Sequence, residues 1–141
     1  MIAIDTSAIL AIFLKEAEAA EFALVIESDA EPLISAASLL ETAIVLRAKK
    51  RLEPAEAEQW LDAFIETAGI SVEPVTVDQI RLARAAHGAF GRGTGHAAQL
   101  NYGDCFSYAL SRRRGVPLLY KGTDFAQTDV EAACPRAVPK P

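Results

Sequence analysis

Short apolar runs alternate with stretches of helical periodicity along the chain, the order expected of strands and helices taken in turn. The first run, Met1-Ile2-Ala3-Ile4, ends at Asp5, and the hydroxyl pair Thr6-Ser7 follows at once. It predicts a buried strand over residues 1–5, delivering Asp5 to its C-terminal tip, with Thr6 and Ser7 opening the next helix. Helices are expected over 6–14 and 17–27, the second with Phe22, Val25 and Ile26 on one face. Residues 31–35 read as a short strand. Ser35 or Ser38 caps a helix reaching about residue 51, and Ser38 and Glu41 have the capping-box spacing. Pro54 suits the first turn of a helix that stops at Gly69. A third strand over 70–75, a helix over 78–90, a helix over 101–114 ended by Gly115, and a buried strand over 116–120 complete the pattern. The fold class is α/β: a three-layer α/β/α sandwich around a mainly parallel sheet. The expected organisation is one domain over 1–134 with a short Pro-rich tail over 135–141.

Four carboxylates fall where such a sheet puts its ligands, beyond the C-terminal ends of the strands. Asp5 ends the first strand, Glu41 lies near the start of the helix after the second, Asp104 is in the first turn of its helix, and Asp124 leaves the last strand. Asp5, Glu41 and Asp104 each also have a plausible capping or first-turn role. Brought together, the four acids would repel and raise one another's pKa. A hard divalent cation, Mg²⁺ or Mn²⁺, removes that conflict and can activate a water against a phosphate.

With 141 residues, 51% of them hydrophobic and 23% charged, the chain is long enough for a core without metal or disulfide staples. No apolar run has the length of a membrane span, and Asp5 interrupts the apolar start, so neither a membrane segment nor a signal peptide is expected. Cys105 and Cys134 have no metal-ligand spacing and read as thiols of a reducing cytoplasm. The net charge of −5 is unevenly spread. Residues 1–78 hold 5 basic and 15 acidic side chains, and residues 79–141 hold 9 basic and 4 acidic. Basic clusters at Arg47, Lys49 and Lys50 and at Arg112 and Arg113 lie at helix C-termini. There they complement the helix dipole, and they are also candidates for contacts with a phosphate backbone. The loop 91–96 is rich in glycine but follows a helix and lacks a P-loop ending, so it carries no nucleotide reading. His87 reads as packed or half exposed on its helix, and His96 as a loop residue.

The ordered set Ile4-Asp5-Thr6-Ser7-Ala8, Glu41, Asn101-Tyr102-Gly103-Asp104-Cys105-Phe106 and Leu119-Tyr120-Lys121-Gly122-Thr123-Asp124-Phe125 resembles the PIN-domain ribonucleases, and within them the VapC toxins of toxin–antitoxin modules. The resemblance implies a Rossmann-like sandwich and an endoribonuclease that cleaves RNA phosphodiesters by metal-activated water, with Mg²⁺ or Mn²⁺ as cofactor. Carried over position by position, it implies Asp5, Glu41, Asp104 and Asp124 as catalytic, metal-binding acids, supported by Ser7, Thr6 and Thr123. It also implies a VapB-type antitoxin partner, a homodimer, and transfer or ribosomal RNA among the possible substrates. Two other classes stay open on the residues alone. One is a phosphatase acting on a small phosphate ester, against which the Ser at position 7 argues, because an aspartyl-phosphate enzyme wants a second Asp there. The other is a metal-binding or inactive interaction module in which the acids serve as caps.

Overall fold

The computed structural model describes residues 1–134; the proposed tail over 135–141 lies outside the described residues. The elements run β1 (Ile2–Ile4), α1 (Thr6–Phe13), α2 (Ala19–Ser28), β2 (Pro32–Ser35), α3 (Ala36–Lys50), α4 (Pro54–Ala68), β3 (Ser71–Glu73), α5 (Val77–Phe90), α6 (Tyr102–Arg114) and β4 (Leu118–Leu119), followed by a 3₁₀ turn over Phe125–Gln127. The strands form one parallel sheet in the order β3-β2-β1-β4. Side chains alternate across it, as the two-residue period of a strand requires. Ile2, Ile4, Ile34 and Leu119 face a core closed by α1, α2, α3 and α4, with Ile9, Phe22, Ala43 and Leu61 in it. Ala3, Leu33 and Leu118 face the opposite core, closed by α5 and α6 through Ala83, Ala86, Ala109 and Leu110. The result is the three-layer α/β/α sandwich. Among the described residues no helix is long and apolar enough to cross a membrane.

Several boundaries differ from the pattern-based reading, each for a local reason. Ser35 alone caps α3, accepting from the Ala37 N–H at 3.3 Å, because the chain turns into the helix directly from β2. Ser38 is therefore buried inside the first turn and Glu41 is not its capping-box partner. The third strand is only Ser71–Glu73. The Ile70 N–H is taken by Ile65 O at 3.0 Å to close the end of α4, after Gly69 enters the left-handed region at φ +67°. Pro74 then has no N–H to extend the ladder. The second helix starts two residues late, at Ala19, because Lys15, at φ +54°, turns the chain sharply after α1.

The core faces carry a simple expectation for stability. Ile9 is wholly buried between sheet and helices, whereas Leu24 on α2 is 61% exposed. Ile9→Ala is expected to cost about 2–4 kcal/mol and Leu24→Ala no more than about 0.5 kcal/mol, read from urea unfolding midpoints.

Candidate active site

The site edge follows from the sheet. After β1 the chain passes to β2 on one side, while β4 lies on the other, so the strand order reverses at β1, the point at whose C-terminal edge open parallel sheets take their ligands. Asp5 stands at that point and is 4% exposed. It is also the N-cap of α1: its Oδ2 accepts from the Ser7 N–H at 3.0 Å. Its Oδ1 accepts from Ser107 Oγ at 2.6 Å. Since Ser107 spends its one proton there, Ser38 Oγ, 3.0 Å away, is the donor to Ser107. A buried relay Ser38–Ser107–Asp5 thus links α3, α6 and the tip of β1. Beside it, Thr6 Oγ1 donates to Ser38 O at 2.9 Å and Thr42 Oγ1 to the same carbonyl at 2.7 Å, tying α1 to α3.

Asp104 is held by a capping box. Its N–H donates to Asn101 Oδ1 at 2.9 Å, and its Oδ2 accepts from the Asn101 N–H at 3.0 Å. Burial pushes the Asp104 carboxyl up from 3.8 to about 7; the Asn101 N–H opposes this, and the charges of Asp5, Asp124 and Glu41 add to it. Burial also raises Glu41, with the Thr6 hydroxyl opposing and Asp5 adding. The four acids therefore share one electrostatic neighbourhood. Glu41 lies directly over the first turn of α6: a Cβ placed on Gly103 would come 2.0 Å from Glu41 Oε2. Glycine at 103 is what lets the Glu41 carboxylate approach.

Residues 2–131 match the PIN domain family model. The chain belongs to the PIN-domain family. It is 50% identical over 133 residues to ribonuclease VapC28 of Mycobacterium tuberculosis, covering 94% of this chain and 98% of that one. It is 46% identical over 127 residues to ribonuclease VapC30 of the same organism, covering 90% and 94%. In fold it is similar to the crystal structure of M. tuberculosis VapC20, a sarcin-ricin loop cleaving toxin, with TM-score 0.72, 21% identity and 92% and 96% coverage. It is also similar to a toxin–antitoxin complex from Klebsiella pneumoniae, with TM-score 0.64, 17% identity and 89% and 91% coverage.

In this PIN domain the remaining candidates are placed unequally. Ser7 Oγ accepts from the Lys121 N–H at 3.0 Å, joining α1 to the loop that carries Asp124. Thr123 and Asp124 are exposed on that loop. Arg112 and Arg113 lie at the far end of α6, roughly 12 Å along its axis from Asp104. Arg112 is 3.7 Å from Asp129 and Arg113 is 3.6 Å from Asp78. Arg47, Lys49 and Lys50 lie in the last turn of α3, and no ion pair holds them among the described residues. His87 is exposed on a groove between α5 and α6, and His96 Nδ1 accepts from the Ala98 N–H within its own loop. Thr42 and Ser107 were not singled out by sequence, and Ser38 was read only as a helix cap. The signal was present: Ser107 is three residues after Asp104 and Ser38 three before Glu41, each one helical turn from an acid.

The donor set is oxygen only, the chemistry that hard divalent cations take. As the side chains stand, no group of three or more His, Cys, Asp or Glu residues among the described residues is arranged to hold a metal ion. The fit is electrostatic: burial is the main cause that lifts Asp104 to about 7, the charges of Asp5, Asp124 and Glu41 add to it, and a bound cation would relieve that added repulsion.

The raised Asp104 pKa has a thermodynamic sign. Between pH 3.8 and about 7 the folded chain holds a proton on Asp104 that the unfolded chain has released, so stability falls as pH rises through that window. Asp104→Asn keeps an oxygen for the Asn101 N–H and removes the charge. Without metal, it is expected to be more stable than the parent by about 2 kcal/mol at pH 8, a value discounted for partial solvation, and equal to it near pH 4. Thermal melts in EDTA across that pH range measure this.

Proposed function

We propose that this chain is a divalent-metal-dependent endoribonuclease and the toxin of a VapBC-type pair. Asp5, Glu41, Asp104 and Asp124 are its metal-binding acids and Mg²⁺ or Mn²⁺ its ion. The observation that carries this reading is the gathering of acids beyond the C-terminal end of β1, where burial lifts Asp104 to about 7 and the charges of Asp5, Asp124 and Glu41 add to the shift. The names of the relatives, VapC ribonucleases, support the reaction class and RNA as substrate. A bound divalent ion supplies charge neutralisation at the phosphate and lowers the pKa of water.

The chain's own residues do the rest. The Ser7 N–H and the Ser38–Ser107 relay fix both oxygens of Asp5. The Asn101 N–H fixes Asp104 through one oxygen and leaves the other open. Glu41, raised by burial, is a better proton acceptor for the attacking water than an ordinary carboxylate. Attack forms the new P–O bond as the P–O3′ bond breaks; the 3′ oxygen leaves and takes a proton from solvent to become a 3′-hydroxyl, and the other product carries the 5′ phosphate.

The unpaired cations Arg47, Lys49 and Lys50 are the better candidates for the RNA backbone, because Arg112 and Arg113 already face acids. A VapB-type antitoxin is supported by the toxin–antitoxin structure of similar fold. We place its docking on α2 and α4, where Leu24 and Trp60 are exposed and Glu21, Glu27 and Glu56 offer charge to a basic segment. The homodimer and a cytoplasmic location belong to the same proposal.

The purified chain, free of antitoxin, is expected to cut RNA with Mg²⁺ or Mn²⁺ and not with EDTA, leaving 5′-phosphate ends. Asp104→Asn should lower cleavage by roughly a hundredfold or more. Products ending in 2′,3′-cyclic phosphate would contradict the mechanism. Hydrolysis of p-nitrophenyl phosphate with RNA left intact would establish the phosphatase reading instead. A folded chain with neither activity nor Mn²⁺ binding would be an interaction module.

A further inference from the structure

We propose that Lys121 is a positioning residue for Asp124, latching the loop that presents this acid to the segment between α1 and α2; the inference rests on the reading of Asp124 as a metal-binding acid. The loop leaves β4 through Tyr120, which is buried. The Lys121 N–H donates to Ser7 Oγ at 3.0 Å. The Lys121 ammonium is 2.5 Å from Glu16 Oε2 and 3.2 Å from Glu18 Oε2. Both glutamates sit just after the left-handed turn at Lys15, which brings the chain back toward β4. The Glu18 Oε2 atom is shut off from solvent, while the Lys121, Glu16 and Glu18 side chains as a whole are about one-third exposed. Beyond Lys121 the chain turns at Gly122, φ +99°, and is pinned again at Phe125, 3% exposed, with its ring 5.3 Å from that of Tyr120.

Between the two anchors stand only Gly122, Thr123 and Asp124, all exposed. Phe125 is fixed by the core and the Asp124 carbonyl accepts from the Gln127 N–H at 3.2 Å, so on the C-terminal side the loop is held by the 3₁₀ turn and on the N-terminal side by Lys121. Asp124 makes no hydrogen bond through its own side chain among the described residues, unlike Asp5 and Asp104, so its position comes from its loop. Charge at Lys121 is favoured by the two glutamates, which hold its pKa above the usual lysine value.

A double-mutant cycle with Lys121→Met and Asp124→Asn tests this, read by amide hydrogen exchange and by Mn²⁺ titration calorimetry. Lys121→Met is expected to speed exchange at residues 122–125 and to weaken Mn²⁺ binding about tenfold, with Lys121→Arg close to the parent. In the Asp124→Asn background Lys121→Met should weaken Mn²⁺ binding no further. Unchanged exchange at 122–125, or the same loss of affinity in both backgrounds, would overturn the proposal. If Lys121→Met does not fold, Glu16→Gln, which leaves the Glu18 pair, should raise exchange at 122–125 to a smaller degree, and no rise would overturn it too. Faster exchange at 122–125 in a chain whose parent binds no Mn²⁺ would support the latch while refuting the metal reading of the acids.

Discussion

The architecture of the site depends on one buried carboxylate at the tip of the central strand. Asp5 stands where β1 ends between β2 and β4, and both its oxygens are engaged from inside the protein. A polar group shut away from water is costly unless it is hydrogen-bonded. That requirement recruits the first turn of α1 through Ser7 and the middle of α6 through Ser107. Ser38 follows, because the Ser107 hydroxyl also needs a donor. Three helices are thereby registered against the sheet by polar contacts that an apolar core alone would leave free to slide.

Capping and chemistry are not competing explanations in this fold. Asp5 caps α1 and Asp104 is half of a reciprocal capping box on α6, yet each keeps oxygen lone pairs beyond those contacts. The cap fixes the direction of the carboxylate, as the metal-binding role proposed for these acids would require. Burying such an acid, with others nearby, has an energetic consequence. Asp104 at about 7 is a group that the folded chain, on its own, prefers to keep protonated, so the site is a local conflict tolerated within a well-packed sandwich. Asp124 differs in kind: it is exposed, and it is placed by the backbone of its loop rather than by bonds to its side chain.

The uneven charge of the chain also acquires a spatial meaning. The arginines at the end of α6 meet Glu73, Asp78 and Asp129, so much of the basic surplus of the second half is spent on acids nearby. The cations at the end of α3 have no such partners among the described residues. The acidic surplus of the first half lies largely along α2, α4 and their connections, around Leu24 and Trp60.

The sequence by itself determined the alternation of strands and helices, the strand-tip place of Asp5, the first-turn place of Asp104, and the stops at Gly69 and Gly115. These follow from local patterns: the period of apolar residues, the hydroxyl or amide before a helix, and glycine where a left-handed residue closes one. The resemblance of the ordered motifs supplied the family, which composition and periodicity could not. Tertiary structure alone decided that Ser35 rather than Ser38 caps α3, since both had suitable side chains and only the path out of β2 chose between them. It also decided that Ser38 and Ser107, distant in sequence, meet behind Asp5, and that Gly103 admits Glu41. It separated Arg112 and Arg113 from the acids by the length of a helix. Contacts between residues far apart in the chain depend on how layers pack, and no local pattern encodes the partner that packing will bring.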